Sequence, residues 1–234
     1  EDEAVLVVWK PVGMESQSGR GFDADMVSEI KRYLSTKRAV DNHNLSTKPV
    51  EPYVGVIHRL DKPVSGVMVY AKTKNAAAAL SKQVAEGKMH KKYLAVLCGK
   101  PVDNNGTYVD YLKQDKKNNC SRIVDKSDPD GKRAELEYKV LDCMQTEETD
   151  PQYLSLVEIK LLTGRHHQIR VQFSGHGTPL YGDGKYGNNE KAVRKSLALC
   201  ACHLRFKHPA TGRIMDFQIK PDTGAFKLFS KNIS

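Results

Sequence analysis

Short apolar runs, broken again and again by turn residues, govern what this 234-residue chain can fold into. Val5 to Lys10, Val54 to Ile57, Val67 to Tyr70 and Lys92 to Cys98 have strand length and strand composition. So do residues 106–112, 133–143, 153–161, 198–207 and 213–219. Lys10-Pro11-Val12-Gly13 ends the first run with a turn signal. Only three stretches carry helical spacing. One is Met26, Val27, Ile30, Tyr33 and Leu34, with Asp23 as its cap. Another runs from a Thr73 cap to about Ala85 and stops at Gly87. The last begins at a Thr163 cap, passes Ile169, Arg170 and Phe173, and ends at Gly175. Residues 35–52 read as loop, and Lys113 to Gly131 as a mobile loop or hairpin. Strands outnumber helices and short turns join many of them. The expectation is an α+β fold with a largely antiparallel sheet, in a single domain over 1–234.

Composition narrows the partners. Hydrophobic residues make up 39% of the chain, as in ordinary folded proteins. No apolar run approaches the ~20 residues of a membrane helix, and no signal peptide opens the chain. Cys98, Cys120, Cys143, Cys200 and Cys202 are odd in number and widely spread, so reduced thiols in a cytoplasmic protein are expected. The formal net charge of +9 favours a polyanionic partner. Basic residues gather in two places. One holds Lys82, Lys88, His90, Lys91 and Lys92; the other holds Lys185, Lys191, Arg194, Lys195, Arg205, Lys207 and Arg213. A charge run is usually a solvated face, but the second is long and of one sign, which leans towards nucleic-acid phosphates.

Several letter patterns promise chemistry that their context withholds. Gly182-Asp183-Gly184-Lys185-Tyr186-Gly187 spells a dinucleotide fingerprint. No acidic residue follows at the required distance, and Pro179 interrupts the strand that should precede it, so a glycine-rich turn is expected. Cys200-Ala201-Cys202-His203 lacks a metal-ligand spacing and a second ligand pair, so buried thiols are expected and no metal site. His166 and His167 are adjacent, which on a helix would turn them to different faces. The segment His58-Arg59-Leu60-Asp61-Lys62-Pro63-Val64-Ser65-Gly66 is different. Its carboxylate stands between cations on a loop between two apolar strands. Cations keep a carboxylate ionised, and an ionised, positioned carboxylate can serve as base or nucleophile. On physical grounds alone, an Asp that merely caps a turn and pairs with Arg59 fits equally well.

The wider set of motifs resembles the RluA-type pseudouridine synthases. His58-Arg59-Leu60-Asp61 with Ser65-Gly66 is similar to their signature loop, and Lys91-Lys92-Tyr93-Leu94-Ala95 to their second motif. Leu162-Thr163-Gly164-Arg165-His166-His167-Gln168-Ile169-Arg170 is similar to their third, continued by Gly177-Thr178-Pro179-Leu180-Tyr181-Gly182-Asp183. His203-Leu204-Arg205-Phe206 resembles their C-terminal motif, and Val8-Trp9-Lys10-Pro11-Val12-Gly13-Met14 their opening strand and turn. The likeness covers nearly the whole chain. It departs at Val64 and His166, where the family often carries Thr.

The resemblance implies a mixed, mostly antiparallel central sheet, with flanking helices and loops around a catalytic cleft. It implies isomerisation of specific uridines in ribosomal or transfer RNA, with no cofactor, because the reaction is neither a redox nor an energy-consuming one. Asp61 would act on the ribose or the base, Arg165 would hold it ionised, and Tyr93 would stack on the uracil. Arg59 would hold the extruded nucleotide, and Leu204 would pack on its far side. His58, Gln168 and Arg170 join them as substrate-binding residues. Many relatives carry a small N-terminal RNA-binding domain, and none is expected before Val5; a monomer is the default. Two rivals remain. An N-ribosyl hydrolase would normally need two working carboxylates, and only one stands in a motif. A non-catalytic RNA-binding module would not need Asp61, Tyr93 and Arg165 together.

Overall fold

The computed structural model describes residues 1–18, 24–41, 51–147, 153–187, 195–231 and 233. The chain forms two compact units, Glu1–His90 with His203–Gln218, and Lys91–Cys202 with Ile219–Ser234. The pairing is overwhelmingly antiparallel in both, as expected for an α+β chain of this pattern.

In the first unit β1 (Val5–Lys10) pairs with β3 (Ser65–Ala71) from Val5↔Ala71 to Lys10↔Gly66. The two-residue β2 (Gly55–Val56) adds to the same strand. Every residue of β3 is buried, because Ser-Gly-Val-Met-Val-Tyr-Ala offers apolar side chains to both faces of the sheet. Helix α1 (Met26–Asp41) packs Met26, Ile30 and Leu34 inward. Its cap is Asp25, whose carboxylate accepts from the Val27 and Ser28 amides at 2.7 and 3.1 Å; Asp23 lies outside the described residues. Helix α2 (Lys74–Ala85) starts on the Thr73 hydroxyl, which accepts from Ala76 N, and ends before Gly87 at φ +66°.

The second unit opens with β4 (His90–Cys98), which pairs with β8 (Tyr153–Leu161). Beyond β8 come β7 (Lys132–Gln145), β5 (Asn105–Asp115) and β6 (Cys120–Val124) in spatial order. The polar stretch 113–131 is therefore a hairpin: β5 and β6 face each other from Tyr111↔Val124 to Asp115↔Cys120. Strand β9 (Leu199–Lys207) passes from this unit into the first, where β10 (Ile214–Gln218) pairs with it. Cys200 and Cys202 project into a core of Leu94, Val96, Leu156, Phe226 and Phe229. Burial pushes the Cys202 thiol up to about 12, so it stays neutral and inert. Phe226 and Phe229 come from a closing 3-10 turn, Gly224–Phe229, that the sequence pattern does not announce.

Three local expectations need correcting: residues 35–41, expected in a loop, continue helix α1 to Asp41, and the other two concern the start of the third helix. Thr163 does not cap helix α3 (Gln168–Gly175); its hydroxyl donates to the Gln168 side chain at 2.8 Å instead. His167 takes the cap position with a left-handed φ of 55°, so the histidine pair precedes the helix and the two rings stack 3.8 Å apart. Among the described residues no helix is long and apolar enough to cross a membrane.

Candidate active site

The Asp61 loop is built by alternation. His58 and Leu60 are buried, Arg59 is exposed and Asp61 half-buried, an alternation that leaves the two candidate side chains on the less buried side of the segment. Three buried groups pin this segment. The Ser16 hydroxyl donates to Leu60 O at 2.8 Å and accepts from Leu60 N at 2.9 Å. His58 Nε2 accepts from the Val69 amide of β3 at 3.2 Å. Lys10, fully buried, sends its ammonium to the carbonyls of Pro11, Met14 and Lys62 at 3.0, 2.6 and 3.3 Å. The Gly13 amide donates to the same Lys62 carbonyl, and the Val64 amide closes the turn onto Asp61 O.

Lys10 and Ser16 are the functional neighbours that sequence reasoning missed. Each looks like an ordinary turn residue until β1 and β3 are aligned. The Lys10 ammonium is also a charge next to the reactive loop. Burial pushes its pKa down to about 8, while the negative charges of Asp61 and Glu15 pull the other way. The sign of the resulting pH effect is fixed. Between about 8 and the ordinary lysine value of 10.5 the unfolded chain holds this proton and the folded chain does not. Stability attributable to Lys10 therefore rises with pH across that window, by at most about 1.4 kcal/mol per pH unit. Urea unfolding at pH 7.5, 9 and 10 is expected to show this rise in the wild type and to lack it in Lys10→Met.

In the second unit Tyr93 lies on β4 opposite Ile159, buried at the ring. Arg165 sits on the loop between β8 and α3, exposed, with Nε donating to Arg133 O at 2.9 Å. Gln168 is the hub of that loop. Its Oε1 accepts from the Arg165 amide at 2.9 Å and from the Thr163 hydroxyl, and its Nε2 donates to Glu135 O at 3.0 Å. Arg170 is buried and forms a two-pronged pair with Asp183, at 2.7 Å in both bonds.

The expected substrate-binding set thus divides by environment. Arg59 faces outward. His58, Gln168 and Arg170 are buried: His58 and Gln168 bond to backbone groups, and Arg170 forms an internal ion pair with Asp183. Leu204 is fully buried on β9 opposite Phe217. The fingerprint-like stretch at 182–187 is a turn whose Asp183 carries the Arg170 pair. Gly182 is required there: at φ +75°, an added Cβ would meet Ser196 O at 2.2 Å. Of the basic residues, Lys92 pairs with Glu158 and Lys88 with Glu86, whereas Lys191 and Arg194 lie outside the described residues.

The family model described as RNA pseudouridylate synthase matches residues 4–175. The ribosomal large subunit pseudouridine synthase D of Zymomonas mobilis is 35% identical over 226 residues, covering 93% of this chain and 66% of that protein. The corresponding synthase C of Escherichia coli is 30% identical, covering 99% and 68%. The chain thus spans about two thirds of the length of these relatives. Among solved structures, human RNA pseudouridylate synthase domain containing 1 aligns with a TM-score of 0.74 over 95% of this chain and 82% of that one, at 23% identity, a likeness of fold. With a family match over most of its length and relatives at this identity, the chain belongs to the RNA pseudouridylate synthase family.

Proposed function

We propose that the chain converts specific uridines of large-subunit ribosomal RNA to pseudouridine, acting as a cytoplasmic monomer. The observation that carries the reading is the Asp61 loop: a half-buried carboxylate on a segment pinned by Ser16 and His58, within electrostatic reach of the buried Lys10. Arg59, exposed two residues before Asp61, adds a cation to the same braced segment. The relatives named for ribosomal large subunit RNA favour ribosomal over transfer RNA as substrate.

In this mechanism the target nucleotide leaves its stack, at a cost of a few kcal/mol that contacts with the enzyme offset. Arg59 holds the extruded nucleotide. Asp61 attacks the ribose or the base, or removes a sugar proton; each route breaks the bond from ribose to ring nitrogen and frees the uracil to turn. Tyr93 stacks on the ring, a contact worth ~1–3 kcal/mol per base. Arg165 is assigned the role of the cation that favours the ionised form of the carboxylate. Rejoining at a ring carbon and loss of that carbon's proton complete an isomerisation that consumes no other reactant. Site-by-site pseudouridine mapping of RNA from cells with and without the protein tests the substrate. Loss of one or a few large-subunit positions is expected; losses confined to transfer RNA would refute the substrate, and no loss anywhere would refute the activity.

A further inference from the structure

The β5–β6 hairpin is fastened to the loop that carries Arg165, and His166 is the fastener. Its Nδ1 lies 2.9 Å from Ser121 Oγ and its Nε2 3.1 Å from Asn119 Oδ1. A carbonyl oxygen only accepts, so Nε2 bears the proton and Nδ1 accepts from the Ser121 hydroxyl. One ring thereby bridges two residues of the hairpin, and the residue before it is Arg165. Other bonds run in parallel. Tyr186 OH accepts from Ser121 N at 2.9 Å and lies 2.6 Å from His167 Nδ1. Lys185 Nζ donates to Asn119 O at 2.7 Å. Burial pushes the His167 imidazole down to about 3, so this second ring is neutral at physiological pH.

The hairpin tip has its own chemistry. Lys116, Lys117 and Arg122 are exposed there, beside Lys185. The one carboxylate in the turn, Asp115, is taken up by the Lys117 and Asn118 amides and the Asn118 side chain. The tip therefore presents Lys116 and Lys117 beside Lys185, while Arg122 also feels the Asp115 and Asp128 carboxylates; the exposed lysines suit a phosphate backbone. Sequence alone sets this hairpin and the stretch after Lys185 far apart, yet the Lys185 bond joins them.

We propose that His166 is a positioning residue. It couples RNA bound at the hairpin tip to the orientation of Arg165, so that the reactive loop is set only when the hairpin is in place. The proposal rests on the pseudouridine synthase reading above. Its mechanism is preorganisation: a misplacement of about 1 Å near the chemistry can cost on the order of 100-fold in rate.

The test uses the full chain with ribosomal RNA transcripts. His166→Ala is expected to lower kcat about tenfold or more while KM changes little, the signature of a lost transition-state interaction. Hydrogen exchange should speed up locally, in residues 163–168 and 118–121. His166→Gln, which can still reach Asn119, should recover part of the loss. Ser121→Ala should lower kcat too, and the double variant should fall no further than His166→Ala alone. A kcat within about twofold of wild type in His166→Ala would overturn the proposal, as would additive losses or faster exchange spread over the whole chain. If the wild type forms no pseudouridine, the activity itself is wrong and the coupling falls with it. An active wild type beside an unaffected His166→Ala refutes the coupling alone.

Discussion

Asp61→Asn is expected to abolish pseudouridine formation, with kcat lower by on the order of 10⁴-fold or more. The substitution keeps the shape of the side chain and removes its charge and nucleophilicity. The bracing bonds of Ser16 and Lys10 run to backbone groups, which the substitution leaves in place: Ser16 holds Leu60, and Lys10 holds the carbonyls of Pro11, Met14 and Lys62. RNA affinity should therefore stay within a few-fold while turnover is lost, a kcat effect rather than a binding effect. A linked consequence checks the electrostatics independently. Asp61 is one of two charges that hold up the Lys10 pKa against burial. Removing it should lower that pKa further, so the rise of stability with pH should begin at a lower pH in Asp61→Asn than in the wild type. Nucleoside analysis after single-turnover reactions reads the first effect, and urea titrations read the second. An Asp61→Asn enzyme with more than about a hundredth of wild-type turnover would contradict the assigned role.

Asp183→Ala should severely destabilise the fold of the second unit. The carboxylate is fully buried and its guanidinium partner nearly so. Burial alone would raise the Asp183 pKa, but two bonds from Arg170, its charge, and the Lys185 and Tyr186 amides outweigh that, and the net shift is downward. Truncation leaves the Arg170 charge buried without its counter-ion, which typically costs about 3–5 kcal/mol. For a chain of this size that corresponds to a fall in Tm on the order of 10 °C. Replacing both partners, as Arg170→Met with Asp183→Leu, should restore much of the loss, since the damage comes from the orphaned charge. Calorimetry of the three variants decides. Equal losses in the single and double variants would mean that the pair matters for packing rather than for charge.

The sequence disclosed the strands far better than the bracing. Apolar runs mark strands because a buried strand needs them, so β1 was legible to its ends and β3 to within two residues. Thr73 was readable as a cap because its partner, Ala76, lies three residues on. Thr163 was misread for the opposite reason: Gln168 and Glu135 compete for its hydroxyl, and Glu135 is distant in sequence. The same limit explains the site. Asp61, Arg59 and Arg165 stand in local motifs and could be named from them. Lys10 becomes a buried ammonium only through the register that sets it opposite Gly66. Arg170 stands in a motif that gave it a place among the substrate-binding residues, while its buried partner Asp183 became visible only in the fold. Motifs name the groups that do chemistry, whereas the residues that hold those groups still are fixed by pairings between distant segments.

The claim that matters most is that this chain isomerises uridine without releasing the base. Its most direct test is the mass balance of one reaction: purified chain, ribosomal RNA transcript, and nucleoside and free-base analysis of the products. An isomerase turns each uridine lost into pseudouridine, with no free uracil. Uracil released in proportion to uridine lost would instead make the enzyme an N-ribosyl hydrolase, and uridine left intact while RNA binds would make it a binding module. Either result would contradict the account.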